Sequence, residues 1–123
     1  MFISMEKIAF VFSHAPHGTS FGKEGLDVIL GVSSIIKKIS LFFIGDGVLQ
    51  ILKHSKSENI LARNYTSSFR ILSIYDIKNF YCCKSSLIDR GLYSHNQFIL
   101  KVNILNSYFF RIKLDDHDAI INF

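Results

Sequence analysis

Residues 7–30 constrain this chain more than any other stretch. Ile8, Ala9, Phe10, Val11 and Phe12 form an unbroken apolar run, the pattern of a strand buried on both faces. Residues 13–20 are polar and hold the chain's single proline. Beyond them Phe21, Gly25, Ile29, Val32 and Ile36 recur at helical spacing and lay one apolar stripe along a helix. Strand, loop and helix make the first half of a βα unit, and a chain that opens this way builds a parallel sheet around its first strand.

The same patterns carry on through the rest of the chain. The first helix is expected to end near Lys37-Lys38, whose charge suits a helix C-terminus. Residues 39–44 read as a second buried strand and residues 45–47 as its turn. Asp46 stands at a strand's C-terminal end, a common catalytic position in α/β folds. With no partner carboxylate nearby it is expected instead to cap a short helix over residues 48–53. Asn64 is the expected cap of a helix over residues 65–75, with Tyr65, Phe69, Leu72 and Tyr75 on one packing face. Strands are expected over residues 78–82, 97–102 and 119–123. A helix over residues 104–113 would carry Leu105, Phe109 and Ile112 on one face. The expected fold is α/β: one three-layer domain spanning residues 1–123, flavodoxin-like. It has about five mostly parallel strands and helices on both faces.

Composition narrows the function classes. Hydrophobic residues make up 49% of the 123, including 12 Phe. So short a chain leaves much apolar surface uncovered when alone, which points to an oligomer. The net charge of +4 is spread over Lys37-Lys38, Lys53, Lys56, Lys84 and Arg90. A solvated surface explains it, and direct nucleic-acid contact is disfavoured. The longest apolar stretch, residues 39–52, is interrupted by Asp46 and does not span a membrane. No secretory signal precedes the first strand, and two adjacent cysteines are no disulfide scaffold, so the expected compartment is the cytosol.

Several motifs fail on inspection. The loop from Gly18 to Lys23 lacks Walker spacing, and Glu24 stands where a magnesium-binding Ser or Thr belongs. No dinucleotide fingerprint occurs, so a flavin or nucleotide module is the weaker reading and no cofactor is expected. His14 and His17 are too few for a zinc site, and His54, His95 and His117 carry no supporting ligand pattern. They are expected to hydrogen-bond locally or cap a helix. Asp115, Asp116 and Asp118 lack the glycine and distal Glu of a calcium loop and read as a solvated turn.

The plausible chemistry is a thiol. Cys82 and Cys83 run from the third strand into Lys84-Ser85-Ser86, where either serine can cap a short helix that Gly91 would end. A thiol between a strand's end and a helix's start feels the helix dipole, and Lys84 and Arg90 would add positive charge. Both effects favour the thiolate, the form that attacks or carries sulfur. Alternation along a strand sends one cysteine inward and the other toward the loop. A bridge between them is disfavoured, because neighbouring Cα atoms sit about 3.8 Å apart, short of the roughly 4.4–6.8 Å disulfide range.

Several separated blocks resemble the TusC/DsrF family within the DsrE-like proteins. They are residues 8–27, Phe42-Phe43-Ile44-Gly45-Asp46-Gly47-Val48-Leu49-Gln50, Leu61-Ala62-Arg63-Asn64-Tyr65, Tyr75-Asp76-Ile77, residues 83–92 and residues 118–123. Family members start near Met5, which makes residues 1–4 a short extension. The resemblance implies a subunit of a cytosolic sulfur relay that supports 2-thiolation of the tRNA wobble uridine. TusB- and TusD-like partners would join it in a dimer of heterotrimers that serves a TusE-like carrier. It also implies that Cys83, ahead of Arg90-Gly91, matches the position of the sulfur-carrying cysteine, which the family assigns to the TusD-like subunit. The TusC-like role is then architectural. A persulfide on Cys83 itself, or a DsrEFH-type sulfur-oxidation subunit, is the alternative.

Overall fold

The computed structural model describes residues 6–15, 21–52, 68–92 and 98–123. Five strands form one sheet: β1 (Lys7–Phe12), β2 (Lys38–Phe43), β3 (Asn79–Cys83), β4 (Asn103–Leu105) and β5 (Ala119–Asn122), in the order β4-β3-β2-β1-β5. Every pairing is parallel, so the mostly parallel sheet expected from sequence is wholly so. β1 lies inside the sheet, with Ile8 opposite both Ile39 and Ala119.

Alternation sorts the side chains onto two unequal faces. Ile8, Phe10 and Phe12 of β1, Ile39, Leu41 and Phe43 of β2, and Phe80 and Cys82 of β3 share one core. Helix α1 (Phe21–Val32) contributes Leu26 and Ile29 to it. A first 3-10 helix (Gly45–Ile51) adds Val48 and Ile51, and a second (Ser68–Tyr75) adds Phe69 and Leu72. Phe12 is its hub, stacked on Phe43 at 5.4 Å and edge-on to Phe69 at 5.4 Å. Such aromatic pairs stabilise beyond their buried area by about 0.5–1.5 kcal/mol. α1 approaches this hub closely because residue 25 is glycine; a Cβ there would lie 2.7 Å from the Phe12 ring.

The opposite face is smaller. Ala9, Val11, Phe42, Tyr81 and Cys83 meet Phe110 of helix α3 (Ser107–Asp115), and among the described residues this helix alone packs there. Phe42 stacks on Tyr81 at 4.9 Å and meets Phe110 edge-on at 5.2 Å. The short helix α2 (Lys84–Asp89) leaves the end of β3.

Several boundaries differ from the sequence expectation. α1 ends at Val32 rather than near Lys37, where Gly31, Ser33 and Ser34 are weak helix formers. Ser33 Oγ bonds back to the Leu30 carbonyl instead. The fourth strand is Asn103–Leu105, not residues 97–102. Phe98 pairs instead with Leu52 in the antiparallel sense, and Ile99 N donates to Ile51 O at 2.8 Å, so this segment closes the larger core. The last helix accordingly starts at Ser107, capped by Asn106, whose Oδ1 accepts from Phe109 N at 2.9 Å. Phe69 and Leu72 are buried as expected, whereas Tyr75 is exposed. The expected cap Asn64, Tyr65, His17, His54, His95 and the N-terminal extension lie outside the described residues.

Candidate functional site

The carboxyl ends of β1, β2 and β3 are tied by backbone and serine contacts. Gly47 sits so close to β1 that a Cβ would fall 1.7 Å from the Phe12 carbonyl oxygen, which makes glycine obligatory there. Gln50 Nε2 donates to His14 O at 3.0 Å. Gly45 N donates to Ser86 Oγ at 2.9 Å and joins the β2 turn to α2. Arg90 closes the same corner: Nε and Nη2 reach Asp46 Oδ1 at 3.1 and 2.8 Å, and Nη1 donates to Ser86 O at 3.0 Å. Asp46 is thus an ion-pair partner rather than the helix cap expected from sequence, and the 3-10 helix has no side-chain cap. Arg90 is turned to Asp46 rather than to the thiol. Gly91 ends α2 with φ of +69°, the left-handed stop its position implies.

Both cysteines are free, and β3 sends their side chains to opposite faces. Both are buried, but as alternation implies Cys82 enters the larger core while Cys83 turns to Ser85 at the strand-to-helix junction. Their environments still differ. Cys82 sits in the larger core, where burial, and then the proximity of Cys83, push its thiol up to about 12. Cys83 is the N-cap of α2, with φ −77° and ψ 120°. Burial opposes its ionisation, but hydrogen bonds from the hydroxyls and backbone N–H groups of Ser85 and Ser86 outweigh it and hold the thiol below its ordinary value. Neither serine caps α2 as the sequence suggested; both turn to the sulfur instead.

Cys83 lines a groove of about 510 Å³ between α3 and the sheet, with Ser85, Ser107, Phe110, Arg111 and Ile120 among its walls. Ser85 Oγ lies 3.2 Å from Cys83 Sγ, and Ser107 Oγ lies 3.2 Å from Ser85 Oγ. Arg111 in the wall is paired with Asp115 at 3.5 Å. A second groove of about 510 Å³ also flanks α3; Phe109 and Ile112 of the helix line it, while Leu105, expected on the same helix face, reaches it from β4. Beside it Tyr108 is 68% exposed and Phe109 54%.

The remaining candidates are structural. The Asp118 carboxylate accepts from Lys7 N and Glu6 N, each at 2.9 Å, and these bonds lower its pKa. Asp116 pairs with Lys7 at 3.5 Å. His117 bonds the Lys113 carbonyl at 2.9 Å, the local role expected of it, and also reaches Ser40 Oγ of β2 at 2.8 Å, which sequence spacing does not reveal. Among the described residues no cluster of three His, Cys, Asp or Glu could hold a metal, and no helix is long and apolar enough to cross a membrane. No motif or spacing in the sequence singles out Ser107. Asn106-Ser107 was a legible helix start, but its approach to Ser85 depends on the register of β4.

Residues 6–123 match the DsrE/DsrF-like family. The chain is similar to Protein TusC of Buchnera aphidicola subsp. Acyrthosiphon pisum (strain Tuc7), at 66% identity over 119 residues that cover 97% of this chain and 100% of the relative. It is 52% identical, over the same spans, to Protein TusC of Buchnera aphidicola subsp. Baizongia pistaciae (strain Bp). Its fold is like that of the crystal structure of the E. coli YchN protein, with a TM-score of 0.75 at 22% identity over 97% of this chain and 100% of that one.

Proposed function

The chain belongs to the DsrE/DsrF-like family, and from that premise we propose that it is a subunit of a cytosolic, TusBCD-like sulfur relay supporting 2-thiolation of the tRNA wobble uridine. The observation that carries this reading is the near-full-length identity, 66% over 119 residues, to a protein named TusC. Its role is mainly architectural, as one domain among TusB- and TusD-like partners in a dimer of heterotrimers that hands sulfur to a TusE-like carrier. The apolar surface of Tyr108, Phe109 and Ile112 supports a partnered state, because exposed patches of this kind mark interfaces. A role in sulfur oxidation within a DsrEFH-type assembly rests on the same family resemblance.

One observation favours a second reading. The Cys83 sulfur faces a groove and receives the donors of Ser85 and Ser86, which suits a nucleophile. In that reading the thiolate attacks the terminal sulfur of a donor persulfide. A new S–S bond forms at Cys83 as the donor's S–S bond breaks, and the donor leaves as a thiolate that takes up a proton. No net oxidation occurs.

Intact mass of the chain, purified with its partners and incubated with a cysteine desulfurase and cysteine, separates the readings. On the architectural reading sulfur adds to the TusD-like partner only, and Cys83→Ser leaves assembly and tRNA thiolation near normal. Reductant-sensitive addition of one sulfur to this chain, abolished by Cys83→Ser, establishes the carrier instead. A stable, monodisperse monomer that captures no partner contradicts both.

A further inference from the structure

Cys83 is only 2% exposed, so a proton leaving its sulfur has little direct contact with water. Ser85 and Ser107, by contrast, are exposed, and their hydroxyls run outward from the sulfur in two steps of 3.2 Å. They come from different helices: Ser85 from the first turn of α2 and Ser107 from the first residue of α3. The geometry points to Ser107 as a positioning residue for Cys83, completing with Ser85 a hydroxyl relay through which the buried sulfur exchanges its proton with solvent.

The proton count closes without any further reagent. In the thiol state, Cys83 S–H donates to Ser85 Oγ, Ser85 O–H donates to Ser107 Oγ, and Ser107 O–H faces water. On ionisation the sulfur's proton passes to Ser85, Ser85's proton to Ser107, and Ser107's proton to solvent water. Each hydroxyl keeps one proton. The chain now runs inward, with Ser107 donating to Ser85 and Ser85 donating to the thiolate. Charge-assisted bonds of this kind are the stronger ones, so the inward direction stabilises the anion. Ser86 holds the other side: its Oγ already accepts from Gly45 N, which leaves its own hydroxyl proton free to donate to the sulfur.

Among the described residues no charged group takes over this role at the sulfur. Arg111 is paired with Asp115 on α3, Arg90 with Asp46 across the turn, and Lys84 and Asp89 of α2 are exposed. Cys82 faces the opposite side of the sheet. The inference deepens the persulfide reading by naming what makes its nucleophile available, yet it concerns ionisation alone.

The test is the rate of iodoacetamide alkylation at Cys83 in the full chain, followed by mass spectrometry between about pH 6 and pH 9. Ser107→Ala should slow alkylation at pH 7 by roughly three- to tenfold and move the midpoint of the profile upward. Ser107→Thr, which keeps the hydroxyl, should restore both. Ser85→Ala should shift the midpoint at least as far. An unchanged midpoint in Ser107→Ala overturns the relay. So does failure of Ser107→Thr to restore it, or a wild-type Cys83 that is never alkylated. If the order holds while no sulfur adds to Cys83, the persulfide reading falls and the relay stands. Sulfur addition with an unchanged Ser107→Ala profile gives the reverse.

Discussion

The two faces of the sheet were built from the same strands and came out unlike. On the α1 face, large residues alternate outward from every central strand, and α1 with two 3-10 helices covers them. On the α3 face the same strands present Ala9, Val11 and Ser40 beside Phe42, and one nine-residue helix covers them. The first face is closed and carries the stability. The second is flanked by two grooves, and on it the chain exposes apolar surface and holds its ionisable thiol, buried at the edge of one groove. Two adjacent cysteines report the difference directly. They share a backbone position to within one residue, yet one is packed among Phe side chains and the other meets serines.

The contrast can be broken at the thiols, where it is largest. At pH 8 a thiol at about 12 is ionised in roughly one molecule in ten thousand. Cys83, held below its ordinary value by the hydrogen bonds of Ser85 and Ser86, is ionised far more often. Alkylation mapped by peptide sequencing should therefore fall on Cys83 and leave Cys82 essentially unmodified. Comparable modification of both would mean that the faces do not differ in this way. Next in size is packing. Phe12→Ala removes the hub of the closed face and should cost about 3–5 kcal/mol in urea unfolding. Phe110→Ala should cost less, about 3 kcal/mol or below, because the grooves beside α3 leave that face room to settle. Equal losses would show the α3 face to be as tightly packed as the other. The smallest effect lies at the rim. Asp118 has a depressed folded pKa, so its contribution is present above the unfolded carboxylate value near 3.9 and is lost as pH falls through the folded one. Asp118→Asn should lower Tm slightly at pH 7, and the difference from wild type should vanish under acid conditions. A difference that persists in acid would assign the residue a role other than its charge.

Much of the closed face was legible in sequence, because period and burial are local signals. The run from Ile8 to Phe12 and the stripe through Gly25 and Ile29 can be read without knowing their neighbours. The strand-to-helix switch at Cys83 and the glycine stop at Gly91 were also visible, since turn chemistry is local. The open face was less legible. Its helix begins at Ser107 rather than Ile104, because β4 takes residues that helical spacing would have claimed. Asp46 looked like a cap, but its partner Arg90 lies 44 residues away and only the fold brings them together. The serine chain at Cys83 joins positions 22 residues apart through a hydroxyl contact, which no periodicity records.

The placement of β1 has a consequence in time. It precedes the other four strands of the sheet in the chain, yet it lies inside the sheet, between β2 and β5. The amides of Glu6 and Lys7 find their acceptor in Asp118, 111 residues beyond Lys7. Until that distant segment exists, β1 keeps an open edge of unpaired N–H and C=O groups beside some of the most apolar side chains in the chain. Such pairings between remote residues form slowly, since loop closure must come first. During synthesis, therefore, β1 is made before the β5 segment that protects it, and a nascent or truncated chain would expose an adhesive edge that the finished protein hides.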